Sequence, residues 1–248
     1  MAVRSEELGC ELTWETPTNR PLRFYSGNSI DLLAVVPSQM IYLLENLNSL
    51  PEIKHIIIGG APIPHKLRTR IASSGLDAYE TYGMTETASH IAVRKITERE
   101  TPFMPLPGIE VSVDTEGRLV ISMDGYPDFV TNDIAEIYKT DHGNGFYISG
   151  RYDNVINTGG KKVYPEKIEY ILEKEFGCPV LITSAPDERW GERVVMVIED
   201  GNDSEIDVEL TSRCKSLLDP SFVPKQIIHS EIPLTPNGKK ERLAKRFT

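Results

Sequence analysis

The sequence predicts an α/β protein in two parts: an α/β unit with a β-rich extension, then a small α+β domain. Three observations carry that prediction. An apolar strand run, Ile56 to Ile58, ends at Gly59-Gly60. It is followed by the helix-patterned "PHKLRTRIASSG" and a second short strand in "LDAYETYG". The stretch "IEVSVDTEGRLVIS" alternates apolar and polar residues about a Glu-Gly turn, the mark of a hairpin. A third texture begins near Asp153 and leads to "PEKIEYILEKEF", a helix with Pro165 at its first position and Gly177 beyond its end. The expected division is residues 1–152 and residues 153–248.

In chain order, "SIDLLAVV" is apolar and stops at Pro37, after which Met40, Ile41, Leu43, Leu44 and Leu47 have helical spacing. A short strand or turn and then a helix are expected there. Gly75 closes the next helix. Strand, helix and strand in succession make a parallel unit. Such units bind ligands beyond the carboxyl ends of their strands, where both glycine-bearing turns lie. Beyond the hairpin, "DFVTNDIAEIYKTDHGNGFYISGR" reads as short strands and turns. In the last part, "VLITSAPDERWGERVVMVIED" gives two strands about a polar loop, "DVELTSRCKSLL" a helix and "FVPKQIIHS" a closing strand. Its expected core draws Ile168, Ile171 and Leu172 from the first helix and Val180, Ile182, Val195 and Val197 from the strand pair. Leu217 and Ile227 complete it.

The 248 residues suffice for one large domain or two modest ones, with 40% hydrophobic and 26% charged residues. A net charge of -10 argues against a nucleic-acid or anionic-membrane binder, and no apolar run is long enough to span a bilayer. The N-terminus has acidic residues and no apolar core of signal-peptide length. Cys10, Cys178 and Cys214 have no metal or redox spacing and read as reduced thiols of a cytoplasmic protein. The five histidines include no H-x-x-x-H pair, so a zinc site is not expected. Composition leaves a homo-oligomer open.

The stretch "TYGMTETASH" concentrates hydroxyls beside one carboxylate. Thr85 can donate to a phosphate oxygen, and Glu86 can hold a Mg²⁺ that bridges phosphates. A capping arrangement at a helix start is the plain alternative. Gly59, Gly60 and Ala61 lack bulk and would let a flat ring lie on the backbone, or would simply end a strand. For Asp133 or Arg151 alone, a surface salt bridge is the stronger reading. Lys239 lies in a basic run with Lys240, Arg242, Lys245 and Arg246, which reads by itself as a solvated tail. Neither "GGKK" nor "NGKKER" has the spacing of a Walker A loop.

Six pieces in order, "IIIGGAP", "YGMTET", "VTND", "GRYDNVINTGGKKVYPEKIE", "WGERVV" and "PLTPNGKKER", resemble the adenylate-forming superfamily, which includes acyl-CoA synthetases, peptide-synthetase adenylation domains and luciferases. The resemblance runs from about Ser29 onward, and the twenty-residue piece is its most specific part. "YGMTETASHIAVR" and that piece look most like o-succinylbenzoate–CoA ligases of menaquinone biosynthesis. The resemblance implies the C-terminal part of a large adenylation domain, then a small mobile lid. It implies that ATP activates a carboxylic acid to an acyl-AMP and that CoA takes the acyl group.

The same resemblance assigns roles. Adenine would lie on Gly59, Gly60 and Ala61 with Tyr82 and Gly83 opposite, and Asp133 would accept from both ribose hydroxyls. Arg151 would reach ribose or phosphate, Thr85 the α-phosphate, and Glu86 the Mg²⁺. Lys239 would place its charge between substrate carboxylate and α-phosphate. Asp153 would be the hinge, and the Gly159-Gly160 loop would line the path of CoA. Ser89 and His90 are placed to help hold the second carboxylate of an aromatic diacid. The family's usual Thr-Gly-Asp is Thr-Asn-Asp here, with Asn132 in the middle.

A loop of the type S-G-T-T-G-x-P-K, which wraps the β- and γ-phosphates in this family, does not occur in the 248 residues and is expected upstream of Met1. AMP is therefore expected to bind this chain more tightly than ATP. Two other readings remain: an enzyme that adenylates another acid or loads a carrier protein, and an idle AMP-binding fragment.

Overall fold

The computed structural model describes residues 2–140, 143–199, 204–235 and 240–242. After a short helix α1 (Ala2–Glu7), the chain builds β1 (Ser29–Val35), α2 (Pro37–Glu45), β2 (Glu52–Ile58), α3 (His65–Ala72) and β3 (Ala78–Gly83). β1, β2 and β3 pair in parallel, with Val35 opposite Ile58 and Ile56 opposite Ala78. The expected parallel unit is thus present. Proline can begin α2 because the first N–H of a helix has no partner to lose. The Gln39 side chain accepts the Val36 N–H at 3.0 Å. Met40 and Leu43 of α2 and Leu67 and Ile71 of α3 pack on Ile56 and Ile58 to form the first core.

Two antiparallel strands extend this sheet, β4 (His90–Lys95) and β5 (Met104–Pro105), giving the order β1-β2-β3-β4-β5. A four-stranded antiparallel meander follows: β6 (Ile109–Val113), β7 (Arg118–Met123), β8 (Phe129–Thr140) and β9 (Gly143–Arg151). The β6–β7 hairpin is the one the alternation predicted. Its turn closes through the Asp114 carboxylate, which accepts the N–H groups of Glu116 and Arg118 at 2.9 Å each.

β8 and β9 correct the expectation of short strands, at 12 and 9 residues. The ladder shifts register between Ile134 and Ala135, a bulge. Consecutive residues Asp133, Ile134 and Ala135 are all buried there. The period-2 alternation that marks a strand in sequence fails at that point, although the strand continues.

The last part forms a third sheet of order β11-β10-β13-β12, with β14 beside β13. Its members are β10 (Ile156–Thr158), β11 (Lys161–Val163), β12 (Val180–Asp187), β13 (Gly191–Ile198) and β14 (Gln226–His229), with helices α4 (Pro165–Phe176) and α5 (Ser204–Leu217). Pro165 opens α4, and Gly177 ends it with φ 72°, a left-handed cap. Ile168, Leu172, Val180 and Ile182 are core residues as expected, while Ile171 and Ile227 are partly buried against the core. Val197 is buried on the other face of the sheet with Leu181 and Ile232. Leu217 is corrected: it is 40% exposed, and Leu210, Cys214 and Leu218 fill the core instead. Those three are four residues apart and share one helix face.

Four core clusters result, and among the described residues none contains members from both sides of the stretch between Ile148 and Ile156. Contacts from the last part to the rest include two ion pairs and a ring contact. Lys162 meets Glu116 at 2.6 Å, Lys167 meets Glu136 at 3.0 Å, and His65 packs edge-on against Tyr170. No described helix is long and apolar enough to cross a membrane.

The helix register gives a direct test. Leu218→Ala should cost about 2–5 kcal/mol of folding stability, whereas Leu217→Ala should stay within about 0.5 kcal/mol. Urea unfolding of both variants measures the difference.

Candidate functional site

β3 ends in a sequence that forces close approaches. Gly83 lies opposite His90, and a Cβ at Gly83 would strike the backbone of Ser89 and His90. A side chain there would push β4 away from β3. At the end of β2, the Gly59 N–H donates to the Val35 carbonyl at 3.1 Å. A Cβ at Gly59 would meet the Thr81 hydroxyl, and Gly60 has φ 88°. The two glycine turns thus stand side by side because β2 and β3 are parallel neighbours.

Beyond Gly83, Thr85–Thr87 form one 3₁₀ turn. Thr87 closes it: its hydroxyl oxygen accepts the Met84 N–H at 3.1 Å, and its proton can go to the carbonyl of Met84 at 3.0 Å or Ser89 at 2.8 Å. The capping function belongs to Thr87. Thr85 and Glu86 are exposed and, among the described residues, hold no side-chain hydrogen bond or ion pair. Ser89 is exposed, and His90 is half-buried at the start of β4.

Tyr82, Asp133, Arg151 and Asp153 form one connected group. The Tyr82 hydroxyl donates to Asp133 Oδ2 at 2.5 Å. Arg151 Nη1 donates to Asp133 Oδ1 at 3.2 Å, and its Nε and Nη2 reach the two oxygens of Asp153 at 3.3 Å each. Asp133 is 9% exposed and its backbone N–H donates to the Thr131 hydroxyl at 3.1 Å. Burial and the neighbouring Asp133 carboxylate push the Tyr82 phenol well above its usual range. The hydrogen bond to Asp153, with Asp133 adding, raises the Arg151 guanidinium. Two hydrogen bonds reach the Asp133 carboxylate, one on each oxygen, of about four that a carboxylate can accept, so it can still accept from a diol.

Sequence reasoning missed the supports of this group. Thr131 precedes Asp133 by two residues in "VTND", a side chain-to-backbone spacing that could have been read. Phe103 and Phe146 stack behind Tyr82 with no signal of their own in the sequence.

Gly159 and Gly160 form the two-residue turn between β10 and β11, with φ 57° and 77°. A Cβ on Gly159 would lie 2.6 Å from the Trp190 ring, and its N–H donates to the Trp190 carbonyl at 2.9 Å. The structure groups this hairpin with Trp190. Lys239 lies outside the described residues. Its neighbour Lys240 donates to Glu173 at 2.6 Å, Glu169 at 3.1 Å and the Val180 carbonyl at 2.6 Å. Arg242 Nη2 reaches both oxygens of Glu169 at 2.8 and 2.7 Å. Burial pushes the Glu169 carboxyl up, against the opposing pull of Lys240 and Arg242.

Among the described residues no group of three or more His, Cys, Asp or Glu could hold a metal ion. Glu86 offers one free carboxylate, the number a Mg²⁺ needs when phosphates and water supply its other ligands.

The AMP-binding enzyme family profile matches residues 8–126. A solved acyl-CoA synthetase (AMP-forming)/AMP-acid ligase II-like protein from Dyadobacter fermentans is 31% identical, and the match covers 94% of this chain and 69% of that one, with a TM-score of 0.54. This chain belongs to the AMP-binding, adenylate-forming superfamily. Among the relatives of the family, a 2-succinylbenzoate–CoA ligase from Lactococcus lactis is 28% identical over 89% of this chain and 52% of its own length. The chain thus spans about half the length of that curated relative. O-succinylbenzoate coenzyme A synthetase from Bacillus subtilis, solved in complex with ATP and magnesium ion, shares the fold, with a TM-score of 0.68 at 22% identity over 86% of this chain and 50% of that one.

The shielded phenol has a pH consequence. An unfolded tyrosine titrates near pH 10. With the folded value raised, the unfolded state loses the proton first. The stability Tyr82 contributes is whole below about pH 10 and is lost as pH climbs from there toward the folded value. Tyr82→Phe should lose stability less steeply than the native chain between about pH 10 and 11, as read by urea unfolding at each pH. Equal slopes would mean an unshielded phenol.

Proposed function

We propose that this chain carries the adenylate and thiol-transfer machinery of an acid–thiol ligase acting on o-succinylbenzoate, with ATP, Mg²⁺ and CoA. The observation that supports it best is Asp133, a nearly buried carboxylate held between Tyr82 and Arg151. Such a fixed acceptor suits a ribose diol. The succinylbenzoate-ligase relatives favour this acid and, through it, menaquinone biosynthesis.

In this reading the adenine lies on Gly59, Gly60 and Ala61, against Tyr82 and Gly83. Asp133 takes the ribose hydroxyls and Arg151 a ribose or phosphate oxygen. Thr85 donates to the α-phosphate, and Glu86 holds Mg²⁺. Lys239 neutralises charge as the substrate carboxylate oxygen attacks the α-phosphorus and pyrophosphate leaves. CoA sulfur then attacks the acyl carbon and AMP departs. Ser89 and His90 face the second carboxylate.

Residues 1–152 act as the body and residues 153–248 as the lid, with Asp153 as pivot. The separate cores and the polar contacts between the parts suit a rotation. The lid presents Lys239 in one state and the Gly159-Gly160 turn in the other. The ion pairs of Lys240 and Arg242 with Glu169 would anchor the segment beside Lys239 to α4.

Two measurements test this. Asp133→Ala should weaken AMP binding about tenfold or more, since each lost hydrogen bond to a charged group is worth roughly 1.5–3 kcal/mol; calorimetric titration reads it. Lys239→Ala should slow acyl-AMP formation by a factor of about 100 or more and leave thioester formation from supplied acyl-AMP and CoA near its native rate. Equal loss in both half-reactions, followed by pyrophosphate release and thioester absorbance, would sink the two-state reading.

A further inference from the structure

Tyr82 and Asp133 lie on different sheets, 51 residues apart in the chain. Their 2.5 Å bond therefore depends on how the two sheets are joined. The sheets share an apolar core of Ile91, Ala92, Val111, Leu119 and Ile121, and one backbone bridge lies at its edge with the rings beside Tyr82. Phe103, just before β5, and Phe146, in β9, exchange two backbone hydrogen bonds of 2.8 and 3.0 Å. Their rings stack with centroids 5.5 Å apart and planes 27° from parallel. The Tyr82 ring leans on both, 5.2 Å from Phe146 and 5.7 Å from Phe103. Gly145 brings β9 close to the same segment: a Cβ there would lie 2.9 Å from the Met104 sulfur and 3.1 Å from the Phe103 carbonyl oxygen.

The joint is braced from behind. The Arg94 guanidinium lies 4.2 Å from the Phe103 ring centroid, a buried cation–π contact. Arg94 is itself held by Glu80 at 2.7 Å and Glu100 at 2.5 Å, and Glu80 also binds Arg68 from α3. Each member of this chain of contacts is fixed by the next, from α3 to the hydroxyl of Tyr82.

We propose that the Phe103–Phe146 pair is the positioning element of the nucleotide site: it holds the two sheets at the separation where the Tyr82 hydroxyl meets Asp133, and so aims that carboxylate at the ribose. The proposal rests on the reading of Asp133 as ribose acceptor. Close-packed interiors transmit a lost ring as a shift of the surrounding atoms. A short O–H···O⁻ bond weakens with a displacement of a few tenths of an ångström. Asp133 then keeps Arg151 on one oxygen and loses the partner that sets the direction of the other.

The test uses the whole 248-residue chain with Phe103→Leu, and with Gly145→Ala, a milder change that keeps every ring. Calorimetry compares AMP with 2′,3′-dideoxy-AMP, which lacks the hydroxyls Asp133 would bind. The native chain should prefer AMP about tenfold or more. Phe103→Leu should lose at least about fivefold of that preference, and Gly145→Ala about twofold, with dideoxy-AMP affinity almost unchanged. A general loss of packing would weaken both nucleotides alike. Thermal melts add an arm without ligand: Tyr82→Phe should lower the midpoint of the native chain by more than that of Phe103→Leu. Full AMP preference in both folded variants overturns the proposal, as does an undiminished effect of Tyr82→Phe in the Phe103→Leu background. Equal binding of the two nucleotides by the native chain refutes the ribose role of Asp133 instead, and the melts then decide for or against the positioning of Tyr82.

Discussion

One hydrogen bond, from the Tyr82 hydroxyl to Asp133, ties the parallel sheet to the antiparallel meander at the place where the candidate site lies. A neutral phenol donating to a buried carboxylate is a strong bond, because little water competes for either group. It also constrains everything around it. β3 must end where Tyr82 can face β8, which requires Gly83 to let β4 approach. β8 must present Asp133 inward, which the bulge at Ile134 and Ala135 accommodates. The aromatic pair behind Tyr82 supplies the rigid wall.

Buried charge in this protein is arranged to define geometry. Glu80 receives two arginines from two different elements, α3 and β4, and Glu169 receives Lys240 and Arg242 from the segment after β14. Buried ion pairs of this kind add little net stability, since desolvation offsets attraction. Their partners cannot drift, however, because separating them leaves a charge without solvent. The first cluster braces the joint between the sheets. The second ties residues 240–242 to α4, next to the lysine assigned to catalysis in the proposed reaction.

Arg151 sits where the two halves of the proposed cycle would meet. It is bonded to Asp133, the proposed ribose acceptor, and to Asp153, the proposed pivot. The stretch around it belongs to no core cluster among the described residues, so backbone rotation there disturbs little packing. The ion pairs between the parts, Lys162 with Glu116 and Lys167 with Glu136, are solvent-exposed and of the kind that form and break at small cost.

Local signals in the sequence determined much of this protein. The glycine-ended strand, the Glu-Gly hairpin and the Pro165-to-Gly177 helix were legible because each depends on φ preferences and periodicity within a dozen residues. Family membership was legible in six short pieces because each sets particular residue types at a fixed spacing within a short stretch. Tertiary structure alone decided the rest. The length of β8 was hidden because a bulge breaks alternation without ending the strand. On α5 the choice between Leu217 and Leu218 turned on a helix rotation of about 100°, which only the facing sheet sets. Phe103, Phe146 and Arg94 carried no sequence signal, since an aromatic or a cation becomes a support only when distant segments bring its partners to it. The link from Tyr82 to Asp133 spans 51 residues and two sheets, and no pattern along the chain encodes a distance between sheets.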